Sequence, residues 1–194
     1  MTKPKILVFA GSIREGSVNT RLANSFNNEL SSLNCTVTSI SLKDYPLPIY
    51  DGDMEASEGV PENAVKLARL MHEHDGYLIA APEYNGSLSP LLKNTIDWMT
   101  RVPSGDDDPI IPFKDKVAAI SAASPGGMGG IAMLFHLRDI LFRLGSLVIS
   151  EQVAVGAAGS AFNDDDSLTN ERAAGLMSAT CKSLIEKAGN FSNG

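Results

Sequence analysis

The sequence reads as an α/β protein: a three-layer sandwich in which a five-stranded parallel sheet of order 2-1-3-4-5 lies between two layers of helices. Three observations predict it. Short apolar runs alternate strictly with longer amphipathic patterns along the chain, and two of those runs are apolar without interruption. The polar, glycine-rich segments follow the first, third and fourth runs, where a sheet of this order gathers its loops at one rim.

Taken in order, the strands are expected at 4–10, 35–41, 76–81, 116–122 and 147–155. Ile6, Leu7, Val8 and Phe9 in the first, and Tyr77, Leu78, Ile79 and Ala80 in the third, mark central strands covered on both faces. The second alternates, with Thr36, Thr38 and Ser39 set between Val37 and Ile40, and reads as an edge. Helices are expected at 19–33, 61–74, 90–101, 129–145 and 170–188, the third opening on Ser89 as cap and Pro90 as first residue. Nothing marks a linker, so residues 1–194 are expected to form one domain.

A formal net charge of −7 argues against nucleic acid, which is held by clustered Lys and Arg. No apolar stretch approaches the roughly 18 residues that span a bilayer, and Ile6–Ala10 runs into Gly11-Ser12 rather than a cleavage site. A soluble, cytoplasmic protein is the expectation. Cys35 and Cys181 have no partner at metal-site spacing and read as small hydrophobes. Asp106–Asp108 and Asp164–Asp166 read as solvated surface, and His72, His74 and His136 have no metal-ligand spacing. No G-x-S-x-G elbow is present to support a hydrolase.

The loop Gly11-Ser12-Ile13-Arg14-Glu15-Gly16-Ser17-Val18-Asn19-Thr20 joins a buried strand to a helix. Free amides at such a helix start favour an anion. Ser12, Ser17, Asn19 and Thr20 add neutral donors, and Arg14 adds a planar fork suited to phosphate. A P-loop would need Lys where Ser17 stands, and a dinucleotide fingerprint would need Gly where Ile13 stands. A phosphate monoester fits better than a nucleoside triphosphate. The same residues also suit an ordinary capped turn in which the serines satisfy helix amides alone.

Pro82-Glu83-Tyr84-Asn85-Gly86-Ser87, followed by Pro90-Leu91-Leu92-Lys93-Asn94-Thr95-Ile96-Asp97-Trp98, resembles the central signature of the NADPH-dependent FMN reductases, flavodoxin-like proteins that include quinone, chromate and azo reductases. Gly11, Ser12, Arg14, Ser17 and Asn19 are similar to that family's G-S-x-R-x-x-S-x-N phosphate motif. The resemblance covers residues 4–157 and implies that the first loop, Ser12, Arg14, Ser17, Asn19 and Thr20, holds the FMN phosphate. It implies that Pro82, Glu83, Tyr84, Asn85, Gly86 and Ser87 pack along the isoalloxazine, with Gly86 permitting close backbone approach. The glycine-rich segment 121–130 resembles the loop beside the flavin pyrimidine, which brings in Ser124 and Gly127.

What the resemblance implies is an FMN-dependent oxidoreductase drawing on NADPH or NADH and passing electrons to small acceptors such as quinones, flavins, chromate or azo compounds. The cofactor carries hydride chemistry, so no catalytic acid or base is sought. Arg14, Lys93 and Arg101 are offered to the 2′-phosphate of NADPH. A homodimer or homotetramer is expected, with the 90–101 helix at the interface; Trp98 and Met99 read as packing or subunit contact. Two alternatives share the fold, a flavodoxin-type electron carrier and a non-enzymatic ligand-binding domain.

Overall fold

The computed structural model describes residues 3–104 and 109–191, so Asp106–Asp108 lie outside the described residues. β1 (Lys5–Ala10), β2 (Thr36–Ile40), β3 (Gly76–Ala80) and β6 (Val117–Ala123) are parallel and lie in the order β2-β1-β3-β6. Between them run α1 (Val18–Ser31), α2 (Gly52–Glu58), α3 (Glu62–His72) and α4 (Pro90–Met99), with α5 (Ile131–Arg143) and α6 (Glu171–Phe191) towards the C-terminus. β2 is an edge, as its alternating pattern predicts.

The strand alternation divides the interior into two cores. Leu7, Phe9, Tyr77 and Ile79 face α3, α4 and α5, where Leu67, Met71, Leu92, Ile96, Leu134 and Leu137 are buried. Ile6, Val8, Leu78 and Ala80 face α1 and α6, where Leu22, Phe26, Leu30, Cys181 and Leu184 are buried. Cys181 is thus the expected small hydrophobe; Cys35 is half-buried and its thiol donates to the Leu30 carbonyl.

The fifth strand differs from expectation. Residues 147–155 form two pieces, β7 (Leu147–Val148) and β8 (Val153–Val155), both parallel to β6. Val117 pairs with Leu147 and Ser121 with Val153, so the offset between partners grows from 30 to 32 residues. Two extra residues are extruded in between, as in a bulge. The Arg138 guanidinium fills the gap, donating to the Val148 carbonyl at 3.1 Å, the Ile149 carbonyl at 2.9 Å and Gln152 Oε1 at 2.9 Å.

Two small elements add to the expected ones. Asp51 caps α2, its carboxylate accepting from the amides of Asp53 and Met54. β4 (Glu83–Tyr84) and β5 (Ser87–Leu88) form a two-residue hairpin beyond β3. Asp166 is also more than solvated surface. It ion-pairs with Arg21 at 2.5 Å and accepts from Asn24 at 2.9 Å, tying the 163–167 turn to α1.

Candidate functional site

The loops after β1, β3 and β6 meet at the carboxyl end of the sheet around a cleft of about 160 Å³. Ser12, Arg14, Ser17 and Asn19 line one side, Pro82, Glu83 and Tyr84 another, and Ser124 a third. Val18, Ala123 and Pro125 complete the wall; they lie in the same loop segments, but as apolar residues they carry no donor to single them out in the sequence. A larger cavity of about 500 Å³, bordered by Asp115, Arg138 and Phe142, lies at the opposite end of the sheet. In an open parallel sheet ligands bind at the carboxyl end, so the smaller cleft is the candidate site.

Backbone and side-chain bonds hold the three loops in fixed relation. The Gly11 amide donates to the Ala80 carbonyl at 2.8 Å, and the Ser89 hydroxyl donates to the Gly11 carbonyl at 2.8 Å while accepting the Leu92 amide as cap of α4. Asn19 is buried and joins the first loop to the third: Nδ2 donates to the Ala123 carbonyl at 2.9 Å and Oδ1 accepts the Ala123 amide at 2.8 Å. Its side chain is therefore spent on the scaffold.

Ser17 is the N-cap of α1, its hydroxyl accepting from the Asn19 amide at 3.3 Å, and no acidic residue occupies the first turn. Ser12 Oγ accepts from the Arg14 amide at 3.4 Å. Arg14 curls over the loop, donating to the Glu15 and Gly16 carbonyls at 3.0 and 3.2 Å. Thr20 is exposed and faces a second hollow of about 400 Å³, which shares Ser12, Arg14 and Ser17 with the cleft and extends to Arg21, Ser41 and Lys43. Neutral hydroxyls, a helix start without carboxylates and adjacent cations suit a phosphate.

The second loop is a hairpin turning at Asn85 (φ 52°) and Gly86 (φ 76°), the two positive φ values of a type I′ turn. A Cβ on Gly86 would meet no atom of the chain within 4 Å, so within the chain it is the positive φ of the turn that requires glycine here. Glu83 reaches across to α5, where Gly130 provides no side-chain cap, and its Oε2 accepts the Met133 amide at 3.0 Å. Ser87 Oγ lies 3.1 Å from His136 Nδ1. Tyr84 is left about half exposed at the mouth of the cleft, at 51%.

In the third loop Ser124 Oγ accepts the Gly126 amide at 3.2 Å, and its own amide donates to the Val155 carbonyl at 3.0 Å. Gly127 is exposed. Gly129 has φ 64°, and a Cβ there would fall 2.7 Å from the Ala154 carbonyl carbon. Glycine at 129 thus serves packing of this loop on the end of β8.

The two further cations offered to the 2′-phosphate of NADPH are ion-paired. Lys93 is paired with Asp97 at 2.7 Å along α4, and Arg101 with Glu55 at 2.9 Å; neither lines the cleft or the adjoining hollow. Trp98 is fully buried, its indole donating to the Pro48 carbonyl at 2.8 Å, and Met99 is buried beside it, so both are packing residues. His74 is buried with Nδ1 2.6 Å from the Leu70 carbonyl oxygen and Nε2 2.8 Å from Thr38 Oγ1. Among the described residues no group of His, Cys, Asp and Glu is arranged to hold a metal.

Known proteins similar to this chain are reductases or oxidoreductases by name. The chain is 33% identical over 155 residues to a quinone reductase of Escherichia coli strain K12, covering 79% of this chain and 78% of that protein. It is 32% identical over 182 residues to an NAD(P)H-dependent FMN reductase of Pseudomonas aeruginosa, covering 93% and 92%. Among solved structures it is similar to the flavoenzyme NAD(P)H:(acceptor) oxidoreductase FerB of Paracoccus denitrificans, with a TM-score of 0.80, 26% identity and coverage of 97% and 98%. The family profile described as NADPH-dependent FMN reductase matches residues 4–160, a span that holds all three rim loops, and the chain belongs to that family.

Proposed function

We propose that this chain is an NAD(P)H-dependent oxidoreductase of one domain, which holds FMN at the sheet rim and passes electrons from the nicotinamide to a small acceptor, quinones first. The observation that carries the reading is the single cleft shared by the loops after β1, β3 and β6. Ser12, Ser17, Thr20 and the α1 amides offer neutral donors to the phosphate, and Arg14 offers charge. Asn19 keeps this loop in register with the third. Pro82 to Ser87 form the bed of the ring: Glu83 anchors the hairpin to α5, Asn85 and Gly86 turn it, and Tyr84 offers an aromatic face at the mouth. Ser124 and Gly127 border the pyrimidine end.

Bound FMN supplies the hydride-accepting chemistry, and the protein supplies position and electrostatics. The quinone assignment follows the name of the Escherichia coli relative, and the NAD(P)H and FMN assignment that of the Pseudomonas relative. Among the described residues no helix is long and apolar enough to cross a membrane, which fits the expected cytoplasmic setting. A homo-oligomer is supported by Phe135 and Phe142, seven residues apart on α5 and 57% and 77% exposed. The apolar residues of α4, by contrast, are already buried within the chain, which moves the proposed interface from α4 to α5.

The test is an anaerobic absorbance spectrum of the FMN-loaded protein before and after NADPH, and again after NADH. Rapid bleaching of the flavin band, restored by a quinone, is the expected result. A bound flavin that neither nicotinamide bleaches would mark an electron carrier, and failure to bind FMN would remove the reading altogether.

A further inference from the structure

From the hollow beside the phosphate loop we infer that Lys43, outside every recognised motif, is a second cation for the phosphate of the bound flavin. This rests on the assignment of that loop to FMN. A phosphate monoester carries about −1.5 to −2 charges at neutral pH, and the chain as a whole carries −7, so a local excess of positive charge must hold it. The hollow offers three cations, Arg14, Arg21 and Lys43, against Glu15. Arg21 is committed: its guanidinium pairs with Asp166 at 2.5 Å, donates to the Asn163 carbonyl and lies over the Phe162 ring. Arg14 retains its charge but spends two nitrogens on the Glu15 and Gly16 carbonyls. One arginine cannot balance a dianion.

Lys43 is the cation that remains. It stands in a short 3-10 turn, Leu42–Asp44, directly after β2. Leu42 is buried in the core, and the Lys43 amide is held by Ser41 Oγ at 3.2 Å, so the backbone beneath Lys43 is anchored while its side chain is exposed. Among the described residues Lys43 has no ion pair. Asp44, its neighbour, does not line this hollow but borders an adjoining one that shares Ser12, Thr20 and Ser41 with it. The parallel pairing of β1 with β2 is what brings this turn beside the phosphate loop, although about thirty residues separate them. A flexible ammonium suits such a place, since it follows a phosphate as a point charge without the fixed geometry of a guanidinium.

The experiment compares FMN with riboflavin, which lacks the phosphate, by fluorescence titration of the flavin-free protein. Lys43→Gln is expected to weaken FMN about tenfold, the scale of one charge-assisted hydrogen bond, and to leave riboflavin affinity within about twofold; Lys43→Arg restores most of the FMN affinity. Lys182→Gln, which removes an exposed charge on α6, controls for net charge and is expected to change neither. Equal FMN losses in Lys43→Gln and Lys182→Gln would overturn the proposal, as would equal losses for the two flavins. If the unaltered protein prefers FMN to riboflavin and Lys43→Gln retains that preference, Lys43 is excluded while the loop assignment stands. If the unaltered protein shows no preference, the loop assignment itself fails.

Discussion

The Asn19 side chain exchanges two hydrogen bonds with the backbone of Ala123, 104 residues away, and so fastens the start of α1 to the end of β6. Both partners are buried, so a shorter side chain strands a donor and an acceptor together. Asn19→Ala is expected to lose about 2–4 kcal/mol of stability in urea unfolding. Asn19→Asp still accepts the Ala123 amide but sets a carboxylate against its carbonyl, and is expected to destabilise as well. A loss below about 0.5 kcal/mol in Asn19→Ala would show that the exchange contributes nothing.

Glu83 caps a helix from another loop, placing a carboxylate at the start of α5 where Gly130 has no side chain to offer. Glu83→Ala is expected to cost about 1–2 kcal/mol and Glu83→Gln about half as much, because glutamine keeps the acceptor but not the charge facing the helix dipole. Thermal unfolding of the two variants separates the contributions. Equal losses would assign the whole effect to the charge, and no loss in Glu83→Gln would assign it to the hydrogen bond.

Gly86 and Gly129 share a positive φ, yet their surroundings differ. Gly86→Ala meets open space and is expected to cost about 1 kcal/mol of backbone strain. Gly129→Ala adds a methyl 2.7 Å from the Ala154 backbone, and is expected to lose about 3 kcal/mol or more as the 154–156 segment is pushed away. Denaturant midpoints measured side by side decide the point, and comparable losses would contradict the packing described.

Burial pushes both the Tyr77 phenol and the Cys181 thiol above their ordinary ranges. Above the ordinary thiol and phenol values, near about 8.5 and 10, the unfolded chain releases protons that the folded chain retains, so stability falls as pH rises. Each group contributes about 1.4 kcal/mol per pH unit. Tyr77→Phe is expected to flatten the decline above about pH 10 by that amount. Comparing the two proteins cancels other groups, Lys116 among them, whose burial lowers its pKa and acts with the opposite sign. Parallel slopes would show that the Tyr77 phenol ionises in the folded state.

Much of this molecule was legible before any coordinates. Uninterrupted apolar runs in β1 and β3 and the alternating β2 predict the strand order, because burial on both faces leaves no polar position in the middle of a sheet. The cap at Ser89 with Pro90 behind it places the start of α4 to the residue. Asn85-Gly86 carries a hairpin signal as well, which the flavin-centred reading of that loop passed over. The cleft-lining hydroxyls of Ser12 and Ser17 stand in a local motif, and local motifs survive in a one-dimensional record.

Tertiary structure alone decided the partnerships between distant segments. Arg101 meets Glu55 of α2 across 46 residues, a pairing that no local spacing announces. Glu83 is a helix cap only because α5 starts beside the hairpin that follows β3, and Asn19 is a latch only because β6 ends beside α1. Lys43 reaches the phosphate loop through the pairing of β1 with β2. Composition and spacing determine which residues are buried and where elements start and stop, since those follow from local geometry and hydrophobic periodicity. Which polar group meets which is set by how the sheet stacks its strands, and hydrogen bonds and ion pairs act only over the few ångströms that this stacking creates.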